Sequence, residues 1–117
     1  MDDFRCYLIV PLDDEGENDC EYGNLLESPH VFTVQLTEDE YNAVYCSVIH
    51  EFNLAFDQLI DIYEDDVTKA DDIPEAINIA EYWLVRVKSE SEKKAINKIL
   101  SALKKANEVG RRMDWVL

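Results

Sequence analysis

Apolar residues recur every three to four positions from Thr37 to Asp66, and this period predicts one long helix. At 3.6 residues per turn, Tyr41, Val44, Tyr45, Val48, Ile49, Phe52, Ala55, Phe56, Leu59, Ile60 and Tyr63 share a broad face. Asp39, Asn42, Cys46, His50, Asn53, Asp57, Asp61 and Glu64 form a narrow polar stripe opposite. Thr37 and Glu40 have capping-box spacing at the start. At the far end Glu64, Asp65 and Asp66 oppose the helix dipole, so either a function keeps them there or the helix stops before Glu64.

Before this helix the period changes to two. Phe4–Leu12 reads as a strand with Phe4, Cys6, Leu8 and Val10 on one side and Arg5, Tyr7 and Ile9 on the other, ended by Pro11. Val31–Leu36 reads as a second strand, Phe32, Val34 and Leu36 alternating with Thr33 and Gln35. The two are expected to pair as a hairpin. The connection, Asp13–Pro29, reads as a long acidic loop punctuated by Gly16, Gly23 and Pro29.

After it, Asp72 and Pro74 open a helix over Glu75–Lys88, with Ala76, Ile77, Ala80, Trp83, Leu84 and Val87 sharing a face with Ile73. Ile79, Tyr82 and Val85 fall off that face. Ser89 and Glu92 have capping-box spacing for a third helix, Glu90–Val109. Its apolar face is Ala95, Ile96, Ile99, Leu100, Ala102, Leu103 and Ala106, and Gly110 stops it. Met113–Leu117 reads as a closing strand burying Met113, Trp115 and Leu117. The expected fold is α+β: a small antiparallel sheet, two N-terminal strands plus the short C-terminal one, packed on three helices. Residues 1–117 form a single domain in this reading, with no repeat or linker.

Charge changes the picture more than composition does. The net charge is −15, and it is unevenly placed. Residues 1–72 carry 20 acids against Arg5 and Lys69, whereas residues 73–117 carry 6 acids and 9 bases. Such an excess repels nucleic acid and anionic membranes, and it steers basic proteins inward. No apolar run is long enough to span a bilayer, and the start lacks a basic region ahead of its apolar run, so neither a membrane nor export is expected. Cys6, Cys20 and Cys46 cannot all pair within one chain and read as free thiols in a reducing cytoplasm.

Catalytic signals are few. Cys46 and His50 are four apart on the predicted helix, a spacing that can activate a thiolate, but no third member or protease signature accompanies them. His50-Glu51 has no second histidine to complete a zinc motif. The 13–29 segment fails the calcium-loop pattern: counting back from Gly16 places Pro11 where an oxygen ligand belongs. No cofactor or metal is expected. Asp57, Asp61 and Glu64 form a carboxylate line beside Leu54, an apolar residue ringed by acids like an interface anchor in a charged rim.

The stretch Ile73–Leu117, IPEAINIAEYWLVRVKSESEKKAINKILSALKKANEVGRRMDWVL, has a Glu-Ala-Ile helix, a Ser-Glu break, a Lys-rich helix and a short closing strand. In this texture it resembles the immunity proteins of bacterial contact-dependent growth inhibition and polymorphic toxin systems. The resemblance implies a non-catalytic, cytoplasmic inhibitor that blocks a basic toxin, commonly a nuclease. On that reading Asp13, Asp14, Glu15, Glu17, Asp19, Leu54, Asp57, Asp61 and Glu64 are the candidate partner-binding residues. The alternative reading is another acidic protein-binding module, such as a phage DNA mimic or a regulatory adaptor.

Overall fold

Strand β1 (Tyr7–Pro11) lies inside a four-stranded antiparallel sheet, between β2 (Val31–Gln35) and β4 (Met113–Val116). β3 (Asp66–Thr68) pairs with β4 and completes the order β2-β1-β4-β3. The computed structural model describes residues 4–22, 28–56, 60 and 66–117. Leu8 lies opposite Val34 on one side and Trp115 on the other. The Leu36 N–H donates to the Cys6 carbonyl at 2.9 Å, and the Leu12 N–H to that of His30 at 2.8 Å. By antiparallel alternation, the even residues of β1 therefore bond to β2 and the odd ones face β4. Pro11 has no N–H to offer on that side, and the register with β4 ends at Ile9 opposite Asp114.

Both faces of β1 are covered. Cys6, Leu8 and Val10 enter the main core with Met113 and Trp115, as the alternation predicts. Ile9 and Pro11, on the opposite face, are also buried. That face is covered by α1 (Asp14–Tyr22), a helix within the segment expected to be a loop. Asp13 caps it, accepting from the Gly16 N–H at 2.8 Å. Gly16 is the only buried residue of α1. A Cβ there would lie 2.1 Å from the His30 carbonyl oxygen, so only glycine allows the helix this close.

The long helical run is α2 (Glu38–Val44), a π-helical segment (Tyr45–Ile49) and α3 (His50–Phe56). The capping box is present: Thr37 Oγ1 accepts from the Glu40 N–H at 3.1 Å, and Glu40 Oε1 accepts from the Thr37 N–H at 2.8 Å. The His50 N–H bonds back to Tyr45, the wide turn of a π segment. The extra residue dephases the stripe. Val44, Val48, Ile49 and Phe52 stay buried, while Tyr45 turns outward.

The run is shorter than the sequence pattern suggests. Ile60 is not helical: its N–H donates to Asn53 Oδ1 at 2.8 Å and its carbonyl accepts from Asn53 Nδ2 at 3.4 Å. An asparagine expected on the polar stripe instead folds the chain back. Asp66, expected at the helix end, and Val67–Thr68, expected as connector, form β3 instead, which makes four strands rather than three.

A 3-10 turn (Ala70–Asp72) leads into α4 (Ile73–Leu84). Asp72 occupies the cap position without a side-chain capping bond, and Ile79, expected off the apolar face, is buried. α5 (Glu90–Val109) buries all seven residues of its predicted face. Gly110, at φ 69°, takes the left-handed conformation that ends it and turns the chain into β4. Lys98 ties three elements together. Lys98 Nζ of α5 donates to Glu40 Oε1 at 2.7 Å and to the Gln35 carbonyl at 3.0 Å. Burial works to raise the Glu40 pKa, but Lys98 and the Thr37 N–H outweigh it and hold the carboxyl below its ordinary value.

The indole N–H of Trp115 donates to Thr68 Oγ1 at 3.0 Å, and both residues are fully buried. Thr68→Val keeps the shape and removes the acceptor. It should cost about 1–3 kcal/mol, read as a lower urea midpoint with an unchanged slope.

Candidate partner-binding surface

The acids of the 13–19 segment meet residues from other parts of the chain on both flanks of α1. The left-handed turn at Gly110 delivers Arg111 and Arg112 to this helix. Arg111 Nη2 lies 3.2 Å from Asp14 Oδ1, and Arg111 Nη1 donates to Glu17. Arg112 spans Glu17 Oε1 at 3.4 Å and Asp114 Oδ1 of β4 at 2.8 Å. At the N-terminal end, His30 sits between two carboxylates. Its Nδ1 is 2.9 Å from Asp13 Oδ2, and its Nε2 is 2.8 Å from Glu15 Oε2. Asp19 accepts from the Ser28 hydroxyl, which in turn accepts from the His30 N–H at 3.0 Å.

Both imidazole nitrogens face carboxylate oxygens, so the doubly protonated ring satisfies the site. The bond to Asp13 is the main reason that the His30 pKa is raised, with burial working against it and the charges of Asp13, Glu15 and Asp19 adding to it. The same bond, with the Gly16 N–H, holds Asp13 below its ordinary value. Asp13, Asp14, Glu15, Glu17 and Asp19 therefore each have a partner within the chain. Asp14 nevertheless leaves 97% of its side chain exposed and Glu15 75%. Asp14, Glu17, Asn18, Glu21 and Arg112 line a depression of about 340 Å³ along α1. Its carboxylates suit a cationic side chain.

Leu54 stands on α3 with 72% of its surface exposed, as its position off the apolar face predicts. It lies one turn after Glu51, which accepts from the Trp83 indole N–H at 3.0 Å. Trp83 meets the Tyr82 ring edge-on at 5.8 Å, and the Arg86 guanidinium lies 3.6 Å above that ring. Asp57, Asp61 and Glu64 lie outside the described residues.

No known protein family, curated protein or solved structure matches this chain. The remaining chemistry is modest. Cys46 and His50 are both exposed. Burial pushes the Cys20 thiol up to about 11, with Asp114 adding to it, and the Cys6 thiol up to about 12, which leaves both protonated and poorly nucleophilic. Among the described residues, no group of three or more His, Cys, Asp and Glu side chains could hold a metal ion. None of the described helices is long and apolar enough to cross a membrane.

Sequence reasoning missed His30, Arg111 and Arg112. Spacing gave no hint of them, because their partners lie far away along the chain. The helix that carries the acids did leave a local signal: Asp13 followed by Asp14, Glu15 and Glu17 is a capping residue with acids in the first turn.

A group with a raised pKa in the fold stabilises it fully below its unfolded value, near 6.5 for His30, and stops doing so as pH rises through the folded value. Asp13, with a lowered pKa, contributes above its unfolded value near 3.8 and loses that contribution in acid. The clamp is thus complete between about pH 4 and 6.5. The parent protein should lose stability as pH rises above about 6.5, and His30→Gln should remove that fall, measured by urea midpoints on the alkaline side of that pH.

Proposed function

We propose that this chain is a non-catalytic immunity protein that binds and neutralises a basic toxin domain in the cytoplasm, with a nuclease as the target that the resemblance implies. The observation that supports it most is how the charge is shared out. Lys93, Lys98, Lys104, Lys105, Arg111 and Arg112 are each ion-paired with an acid of the chain itself. Six of the eleven lysines and arginines are thus engaged at home, and the excess of negative charge is left to act outward. Asp14 and Glu15 remain open to solvent, and the depression along α1 suits a lysine or arginine of a partner.

In this reading the acids replace the phosphates that a nuclease surface would otherwise hold. Steering by −15 charges speeds encounter, while the lasting hold comes from a few desolvated anchors, of which Leu54 is the candidate on α3. Affinity capture of the tagged protein from its native cells at low salt, followed by mass spectrometry, tests the proposal. One basic toxin domain in equal stoichiometry supports it. Recovery of nothing, or of a DNA-binding protein released by salt, favours the adaptor and DNA-mimic readings.

With the captured toxin in hand, the two roles separate kinetically. Asp14→Lys and Glu15→Lys together should slow association about tenfold or more at low salt and have little effect at high salt. Leu54→Ala should speed dissociation about tenfold, equivalent to about 1.4 kcal/mol, at either salt. Stopped-flow fluorescence at two ionic strengths reads both.

A further inference from the structure

α1 is held differently from the other α-helices among the described residues. Its residues offer no apolar stripe: Gly16 alone is buried, and Tyr22 is 83% exposed. Apart from the close approach of Gly16 to β1, the side-chain bonds that hold it are polar. Asp14 and Glu17 meet Arg111, Glu17 meets Arg112, Asp13 and Glu15 meet His30, and Asp19 meets Ser28. Such partly exposed pairs are individually weak and are screened by salt. The apolar contacts of the core clamp α2 to α5 on the opposite face of the sheet.

We propose that α1 is a lid latched by charge over the Ile9 and Pro11 face of the sheet, opening as a unit while the core beneath stays folded. Opening uncovers two apolar residues of β1, frees the Arg111 guanidinium group and leaves that of Arg112 with Asp114 alone of the acids it pairs with. It also releases the five carboxylates that the closed lid engages. The lid is a property of the isolated chain and does not depend on the partner proposed above.

Three cysteines at three depths report on it. Cys46 is exposed. Cys20, on α1, is half-buried and within hydrogen-bonding reach of Asp114 and Arg112. Cys6 is sealed in the core under the sheet. Local opening therefore uncovers Cys20 and leaves Cys6 closed, whereas global unfolding uncovers both.

The experiment is iodoacetamide labelling of the full chain at constant pH, with rates resolved site by site by peptide mass spectrometry. It compares about 50 mM with about 1 M NaCl, where the screening length shrinks to a few ångströms. Cys20 should label about tenfold faster at high salt, with Cys6 unchanged and Cys46 fast throughout. Arg111→Gln with Arg112→Gln should speed Cys20 labelling several-fold at low salt and weaken its salt response, the His30 contacts remaining. Cys20 labelling that ignores both salt and the substitutions, or that always matches the Cys6 rate, overturns the proposal. If the double variant also exposes Cys6, it has lost its fold, and the salt response of the unsubstituted chain then decides alone.

Discussion

Strand β1 must be enclosed on every side. Its Leu8, Ile9 and Val10 side chains are wholly removed from water, and both of its edges are hydrogen-bonded. A strand in this position needs a partner along each edge and a layer on each face. The rest of the chain supplies these in turn. β2 and β4 take the edges, the α2–α5 layer takes the face of Leu8 and Val10, and α1 takes the face of Ile9. Removing any one of the four exposes apolar surface or unpaired backbone on the same five residues.

The two covering layers work on different physics. Beneath the sheet, Phe52 packs edge-on against Trp115, and α5 contributes a full apolar face. Above it, α1 brings carboxylates and a glycine. Hiding one isoleucine is worth about 1.5–3 kcal/mol. A single exposed ion pair is worth about 0–1 kcal/mol. Several such pairs together match what they conceal, so neither contribution dominates the upper layer. The acids therefore serve two ends, tethering a helix and giving the molecule its external field, and α1 is where the two meet.

Hydrophobic period revealed the lower layer and most of the sheet. The face of α5, the inward residues of β1 and β4, the capping box at Thr37 and the stop at Gly110 all follow from local pattern, because each is fixed by contacts a few residues apart or by one dominant core. Period was silent where burial is slight. α1 has one buried residue, and that one is glycine, so there was no stripe to find. β3 has three residues in an acidic run, and only Thr68 is buried. The overlong helix failed for another reason. Asn53 turns back on Ile60, and a side chain choosing a backbone partner seven residues away leaves no trace in a helical wheel. Of the candidate surface, the exposure of Leu54 was legible. The pairing of the acids with His30, Arg111 and Arg112 was not, since only the folded sheet brings those segments together.

The order β2-β1-β4-β3 also bears on how the molecule is made. β4 lies between β1 and β3, so the central pairing of the sheet joins a strand near the start of the described chain to one near its end. During synthesis β1 can pair only with β2, and one of its edges stays open until residues 113–116 clear the ribosome. Contacts this distant along the chain slow folding and prolong the exposure of unpaired strand edges. The nascent chain must then carry an apolar, half-paired hairpin until β4 has been made. The acids of the first half repel neighbouring copies during that interval, so the charge placement also works against association while that edge is open.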